Sequence, residues 1–378
     1  MPVKYLTRMI FLLSVLLYTD TVLAQYPTDE KAPEKAAVKS KKIKLSDNPG
    51  FSDNKPAFKI AAIEVVNLAW DTAHLGYLQV GMGNRKAAAV PDGAAATWLQ
   101  DFVNKAYGNL YTPEGARLLW IVEDLRIGER TGGMSEKAFI RLKATAYAST
   151  DGTAYRQVTS FDDVRMVGGL DVTHKHKTNI ANAFQHLFDT TLAKAPQSSG
   201  STLSYDAIIA KHQQRYQAPA LKDTTLNNGV YLTFKEFLDN KPSYRLFELK
   251  KGKRNFSVSV NGADGLLTEK EAFWGVVKDG EIYAHVAGNF IPLERTANGF
   301  VISNYIEASK QRNNQMLLAG VAGGAIGGAI AGAMAGTATS SGPRGNSTVK
   351  IYYTDAFPQL DQRPEATAID IETGELIF

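Results

Sequence analysis

The chain has 378 residues, 44% of them hydrophobic and 21% charged, with a formal net charge of +4, which excludes a collagen, a polar disordered chain and a polytopic membrane protein and leaves room for two domains. The charge is too small and too dispersed for a nucleic-acid surface, so no nucleic acid is expected as a partner. With no cysteine, disulfides, thiolate catalysis, cysteine-ligated zinc and a lipid on an N-terminal cysteine are all excluded, and the fold must rest on packing.

Lys4 and Arg8 precede an apolar run from Met9 to Leu17 and the small-residue site Val22-Leu23-Ala24, the order of a secretory signal peptide cut after Ala24. The run is about half the roughly 20 apolar residues that a membrane span needs. Residues 1–24 are therefore expected to be removed and the chain to be exported, to the periplasm, the envelope or the medium. Residues 25–56, with Lys39, Lys41, Lys42 and Lys44 close together, offer too few large apolar groups to offset ordering entropy and read as a disordered, lysine-rich tether.

Residues 57–196 read as an α+β domain. Phe58 to Leu68 predicts a buried strand, and a polar, glycine-rich passage through Gly81, Gly83 and Pro91 follows. Asp92 is positioned to cap a helix whose Trp98, Leu99, Phe102, Val103, Ala106 and Leu110 share one face. Strands are expected over Leu118–Ile127, Ala138–Ala148 and Tyr155–Met166, with turns at Gly132-Gly133 and Asp151-Gly152. In the second, Phe139, Arg141, Lys143, Thr145 and Tyr147 alternate with Ala138, Ile140, Leu142, Ala144 and Ala146, which predicts one solvated and one buried face. Ile180, Ala183, Phe184, Leu187, Phe188 and Leu192 then form a helical stripe that stops at Pro196. This element order, with the stretches AATWLQDFVNKAY, RLLWIVEDLRIGE, EKAFIRLKATAYASTDGTAYRQVTSF and NIANAFQHLFDTTLAK, resembles the periplasmic domain of the ABC-type transport auxiliary lipoproteins of bacterial envelopes. The resemblance implies a small antiparallel sheet covered by helices and an accessory module without catalysis, although the lipid-bearing cysteine of that family is missing here.

Residues 197–223 read as a polar link with a short helix over 205–216, and residues 224–378 as a β-rich domain. Val230 to Leu232 predicts a strand leading into a capped helical turn from Thr233 through Phe237. Asp279-Gly280, Gly288-Asn289 and Asn298-Gly299 recur at the spacing of a β-meander, and Val349–Tyr353 and Thr367–Ile371 read as further strands. GVYLTFKEFLDNKPS, AFWGVVKDGEIYAHVAGNFIPLE and AIDIETGELIF resemble a pattern of uncharacterised exported Bacteroidetes proteins, which implies a lineage and no activity.

Between them lies LLAGVAGGAIGGAIAGAMAG, residues 317–336, with Gly320, Gly324, Gly328, Gly332 and Gly336 at every fourth position. On a helix these glycines form a groove that lets another helix approach closely. A single span would place the final strands across a membrane from the meander, so either those strands form no common sheet with the meander or the segment is an inserted excursion. It would self-associate, insert at a membrane surface, or form a Gly/Ala loop.

No nucleophile elbow, P-loop, zinc-protease or EF-hand spacing is present, and no cofactor or metal is expected. Carboxylate pairs leave no sequence signature, so Glu123 or Asp124 with Asp162 or Asp163 remains a glycosidase-like arrangement to test. His174, His176 and His186 lack a ligand spacing and read as structural or exposed. Trp70, Trp98, Trp120 and Trp274 sit in apolar pattern and read as core. The reading that follows is an exported α+β envelope protein, non-catalytic, accessory or structural, contacting itself or a membrane surface through Gly320, Gly324, Gly328, Gly332 and Gly336. The competing reading is a secreted or periplasmic hydrolase.

Overall fold

The longest strands belong to a mixed sheet of eight. In chain order it comprises β1 (Ser40–Ile43), β2 (Ile60–Asn67), β3 (Gly76–Val80), β4 (Arg85–Pro91), β5 (Ala116–Gly132), β6 (Ser135–Ser149), β7 (Ala154–Gly169) and β8 (Thr202–Ser204). The computed structural model describes residues 38–46, 57–81, 83–132, 135–251, 256–261, 266–313 and 350–378; Gly320, Gly324, Gly328, Gly332 and Gly336 lie outside them, as do residues 1–24. The ladder runs antiparallel from β5 through β8, while β2 and β3 join the same edge of β5 in parallel, β2 along its first half and β3 further on.

Helices α1 (Trp98–Tyr107) and α2 (His176–Lys194) cover one face of this sheet. The apolar stripes read from the sequence are what they bury: Leu99, Phe102, Val103, Phe184 and Leu187 meet Leu118, Trp120, Val122, Ile140 and Leu142. Tyr107 stacks on Phe188, with ring centroids 4.3 Å apart, and meets Trp120 edge to face at 5.9 Å. The first helix starts at Trp98 after Thr97, later than Asp92 predicts. Gly93 holds φ at +149°, which no helix accommodates, and Asp92 instead pairs with Lys42. The glycine-rich passage before it is the β3–β4 hairpin.

The lysine cluster is in part structured as well. Ser40–Ile43 pairs in parallel with Ala88–Pro91, and Ile43 is buried in the helix-covered core. Alternation across those four residues puts Ser40 and Lys42 on the face away from Ile43, which anchors the strand, a feature that mean composition cannot resolve. The link over 197–223 is ordered too, carrying β8, helix α3 (Tyr205–Gln213), capped by the Ser204 hydroxyl, and a short helix α4 (Pro219–Lys222).

A second sheet contains β9 (Gly229–Tyr231) and, after a small separate sheet of β10 (Phe247–Lys251), β11 (Phe256–Asn261) and β12 (Leu267–Glu269), the meander β13 (Gly275–Lys278), β14 (Glu281–Val286), β15 (Asn289–Arg295) and β16 (Phe300–Ile302). Helix α5 (Phe234–Leu238) follows β9, with Thr233 accepting from the Glu236 amide and Glu236 from the Leu232 amide, a reciprocal cap. Asp279-Gly280 turns with φ of 53° and 84°, and the next turn falls on Ala287-Gly288 (48° and 74°), one residue earlier than Gly288-Asn289. The third bend runs from Thr296 to Gly299, closed by the Thr296 amide on the Gly299 carbonyl.

Residues 305–313 are helical, and after residue 350 the chain re-enters the same sheet as β17 (Ala368–Ile369) and β18 (Leu376–Ile377), with Phe300 opposite Ile369. The meander and the final strands therefore share one sheet across residues 314–349. The two large sheets belong to one compact unit, Lys39–Phe378. Among the described residues no helix is long and apolar enough to cross a membrane.

Gly374, at φ +75°, closes the β17–β18 turn with the ring of Phe234 where a Cβ would stand, the nearest ring atom 2.5 Å away. Gly374→Ala should lower stability by about 2–4 kcal/mol through left-handed strain and overpacking, read as a reduced chemical-denaturation midpoint.

Candidate functional site

The side of the eight-stranded sheet away from α1 and α2 carries most of the chain's buried charge. A β-bulge aims it there. β5 pairs with β6 in steady register until Val122 opposes Ala144 and Asp124 opposes Lys143, leaving Glu123 as the extra residue. Before the bulge the even-numbered residues Leu118, Trp120 and Val122 face the helices; after it the odd-numbered Leu125 and Ile127 do. Glu123, Asp124 and Arg126 thus emerge on one side, beside Phe139, Arg141, Lys143, Thr145 and Tyr147 of β6. The alternation on β6 predicted that this side is solvated, and it is not. Arg141, Thr145 and Tyr147 are buried, because α3 covers one end and residues 353–378 cover the rest.

Under α3, His212 Nδ1 lies 2.8 Å from Glu123 Oε1, the Tyr147 hydroxyl lies 2.9 Å from His212 Nε2, and the Thr145 hydroxyl donates to Glu123 at 2.8 Å. Burial pushes the Glu123 carboxyl up, but hydrogen bonds from His212 and Thr145 and the charge of Arg215 outweigh it and hold it at about 2. Burial, with Glu123 nearby, pushes the Tyr147 phenol up to about 12. The chain Glu123–His212–Tyr147 has the connectivity of a nucleophile relay, but its phenol stays protonated at neutral pH and is 1% exposed. It joins α3 to the sheet.

Next along the face, Arg141 forks onto Asp162 (Nη2 to Oδ2, 2.8 Å; Nε to Oδ1, 3.0 Å) while its Nη1 reaches Asp370 at 2.8 Å and Asp124 at 3.5 Å. Burial dominates Asp124: Arg141 and Arg126 pull its carboxyl down, yet it stands at about 6, and its Oδ1 has no hydrogen-bond partner. Arg126 donates to the Phe378 carbonyl at 3.1 Å and lies 4.7 Å over the Trp70 ring. At the far end Glu365 accepts from Lys86 (2.9 Å), Arg312 (2.7 Å) and the Tyr305 hydroxyl (2.9 Å). Burial raises its carboxyl, but Lys86 and Arg312 outweigh that and hold it at about 2.

The acids considered for a glycosidase pair are thus each engaged by an arginine: Glu123 with Arg215, Asp124 and Asp162 with Arg141, and Asp163 with Arg165, with His212 also on Glu123 and His186 on Asp163. None of the four lines either of two surface clefts, of about 670 and 600 Å³, in the second sheet and beside β7. His176 is fully buried, 3.0 Å from Glu129; His186 sits at Asp163; His174 lies in a turn before α2. The three histidines do not converge, and no group of three metal-ligating side chains occurs among the described residues. Trp98 and Trp120 are core; Trp70 stacks under Arg126; Trp274 packs on Phe237 and donates to the Gly374 carbonyl. The local signal for this site was the consecutive pair Glu123-Asp124 inside an apolar run, where strict alternation fails.

No family model matches this chain, and no curated protein and no solved structure matches it.

Two outcomes follow. Asp124, raised above the ordinary 3.8, costs stability while ionised, above about pH 6, and the cost fades as pH falls toward 4. Asp124→Asn should therefore raise the unfolding free energy by about 2 kcal/mol at pH 7, a gain that disappears below pH 4 in denaturant melts. Glu365→Gln leaves Lys86, its side chain 2% exposed, without a countercharge, and should cost about 3–5 kcal/mol. The double variant Lys86→Met/Glu365→Leu should recover part of that loss, Arg312 still lacking its carboxylate.

Proposed function

We propose that this protein is an exported, non-catalytic accessory or structural protein of the bacterial envelope that acts by association through residues 317–336, with itself or with a membrane surface. The observation that carries this reading is the placement of the two described flanks. On one side Arg312 is held by Glu365, and Asn313 donates to the Asn84 carbonyl at 2.8 Å. On the other, Lys350 donates to Asn289 at 2.8 Å and Ile351 and Tyr352 pack on the second core. The pairing of β16 with β17 keeps both flanks on one body, an arrangement at odds with a segment that crosses a bilayer once.

The segment's small side chains supply a close-packing surface and little apolar area, which suits contact with a matching helix or shallow insertion better than independent folding. The N-terminal signal-peptide pattern supports export, and the resemblance of residues 57–196 to auxiliary lipoprotein domains supports an accessory role. The engagement of all four candidate acids by cations weighs against the hydrolase reading.

Fractionation of cells expressing the full chain and a variant lacking residues 317–336 tests this. The intact protein should remain with membranes through high salt and alkaline carbonate, or sediment as an oligomer, while the deletion variant is released as a smaller soluble species. Identical behaviour of the two would remove the association role from this segment.

A further inference from the structure

β7 is an outer strand over most of its length. β8 pairs only with Ala154–Arg156, and no other strand lies on that side among the described residues. A bulge at Val158, where Ala146 opposes Thr159 and Tyr147 opposes Gln157, separates the covered end from the rest. From Thr159 to Gly169 the strand is regular and paired to β6 alone. Lys175, which donates to the Gly168 carbonyl at 2.7 Å, is the contact at its far end. An uncovered edge of this length is a template for another strand.

The strand is complementary to a two-fold copy of itself. A two-fold axis perpendicular to the sheet keeps each face continuous, so facing residues must share parity. The regular edge Thr159–Gly169 has Val164 at its midpoint, and centring the pair there opposes Thr159 with the other copy's Gly169. The same register sets Asp163 against the second copy's Arg165, twice, Phe161 against Val167, and Val164 against Val164. Moving the axis by one residue brings Asp163 to Asp163 or Arg165 to Arg165, which like-charge repulsion disfavours. Asp163 and Arg165 already form an ion pair within the strand, with His186 beside the same carboxylate, so each would join an alternating row of charges. Asp162 is held on the opposite face by Arg141 and does not oppose this register.

We propose that the β7 edge is a homodimer interface in which two copies of the chain pair antiparallel about Val164, joining their eight-stranded sheets into one. This contact is separate from residues 317–336 and does not depend on them.

The absence of cysteine makes the test direct. Facing Cα atoms on an antiparallel pair stand about 4.5–5.5 Å apart, within disulfide reach. Val164→Cys in the otherwise complete chain should form a covalent dimer under mild oxidation, seen on a non-reducing gel. Val167→Cys, about 20 Å from its counterpart at roughly 3.3 Å per residue, should not. Adding Arg165→Asp to Val164→Cys should reduce the dimer several-fold, and the swap Asp163→Arg/Arg165→Asp should restore it. Circular dichroism confirms that each variant is folded. Failure of Val164→Cys to cross-link, equal cross-linking at both positions, or loss of the dimer on deleting residues 317–336 would each overturn the proposal. The last result would leave the association role of that segment intact.

Discussion

The extra residue at Glu123 sets the direction of the buried charges Asp124 and Arg126 that follow it on β5. Strict alternation along β5 would send Asp124 and Arg126 into the layer where Trp120, Phe184 and Leu187 pack, an apolar environment without partners for either. The bulge returns β5 to the helix layer with Leu125 and Ile127 and releases Asp124 and Arg126 to the other face. β6 needs no such correction, since its polar residues already alternate onto that face. The sheet therefore presents two unlike surfaces: one that packs helices by apolar contact, and one that binds the end of the chain by ion pairs and hydrogen bonds.

That second surface is sorted by charge. Cations from the first part of the chain, Lys86, Arg126, Arg130, Arg141, Lys143 and Arg215, meet acceptors from its last residues: Glu365, the Phe378 carbonyl, the Arg363 carbonyl, Asp370 and Glu372. Buried ion pairs of this kind contribute little net stability against an apolar replacement, because desolvation offsets the attraction. They discriminate strongly between arrangements, since a shifted segment strands several charges at once. Phe139, Phe357, Ala368, Ile377 and Phe378 supply apolar burial in the same layer. Packing holds the final hairpin down while the ion pairs fix where it sits. Asp124 is the exception, a carboxylate that its surroundings tolerate poorly.

The helices and β6 were legible because they obey one period throughout: the α2 stripe from Ile180 to Leu192 and the alternation from Ala138 to Tyr147 map directly onto buried faces. What periodicity could not reveal was the second partner. A polar strand face looks the same in sequence whether water or a complementary segment covers it, and the cover here comes from α3, 65 positions on from Tyr147 at His212, and from residues as far as 229 positions from Arg141. The same limit hid Ser40–Ile43, where one buried Ile43 among exposed lysines suffices to make an edge strand, and the β3–β4 hairpin, whose glycines look like loop. The candidate acids were recognisable as residues, but their cationic partners lie on other strands and helices, so their roles could not be read along the chain.

The pairing of β16 with β17 depends on the same surface. Ile302 and Ala368 are separated by a long stretch of chain, and closing so large a loop costs entropy that grows only as the logarithm of its length, about 0.6 kcal/mol for each doubling. An insertion can thus be long without weakening the sheet much, provided both of its ends are fixed. Glu365 does this directly: one carboxylate binds Arg312 before the insertion and Lys86 of the first sheet behind it. In a chain without disulfides, this buried acid does the work of a cross-link, holding residues 305–313, the final hairpin and the eight-stranded sheet together.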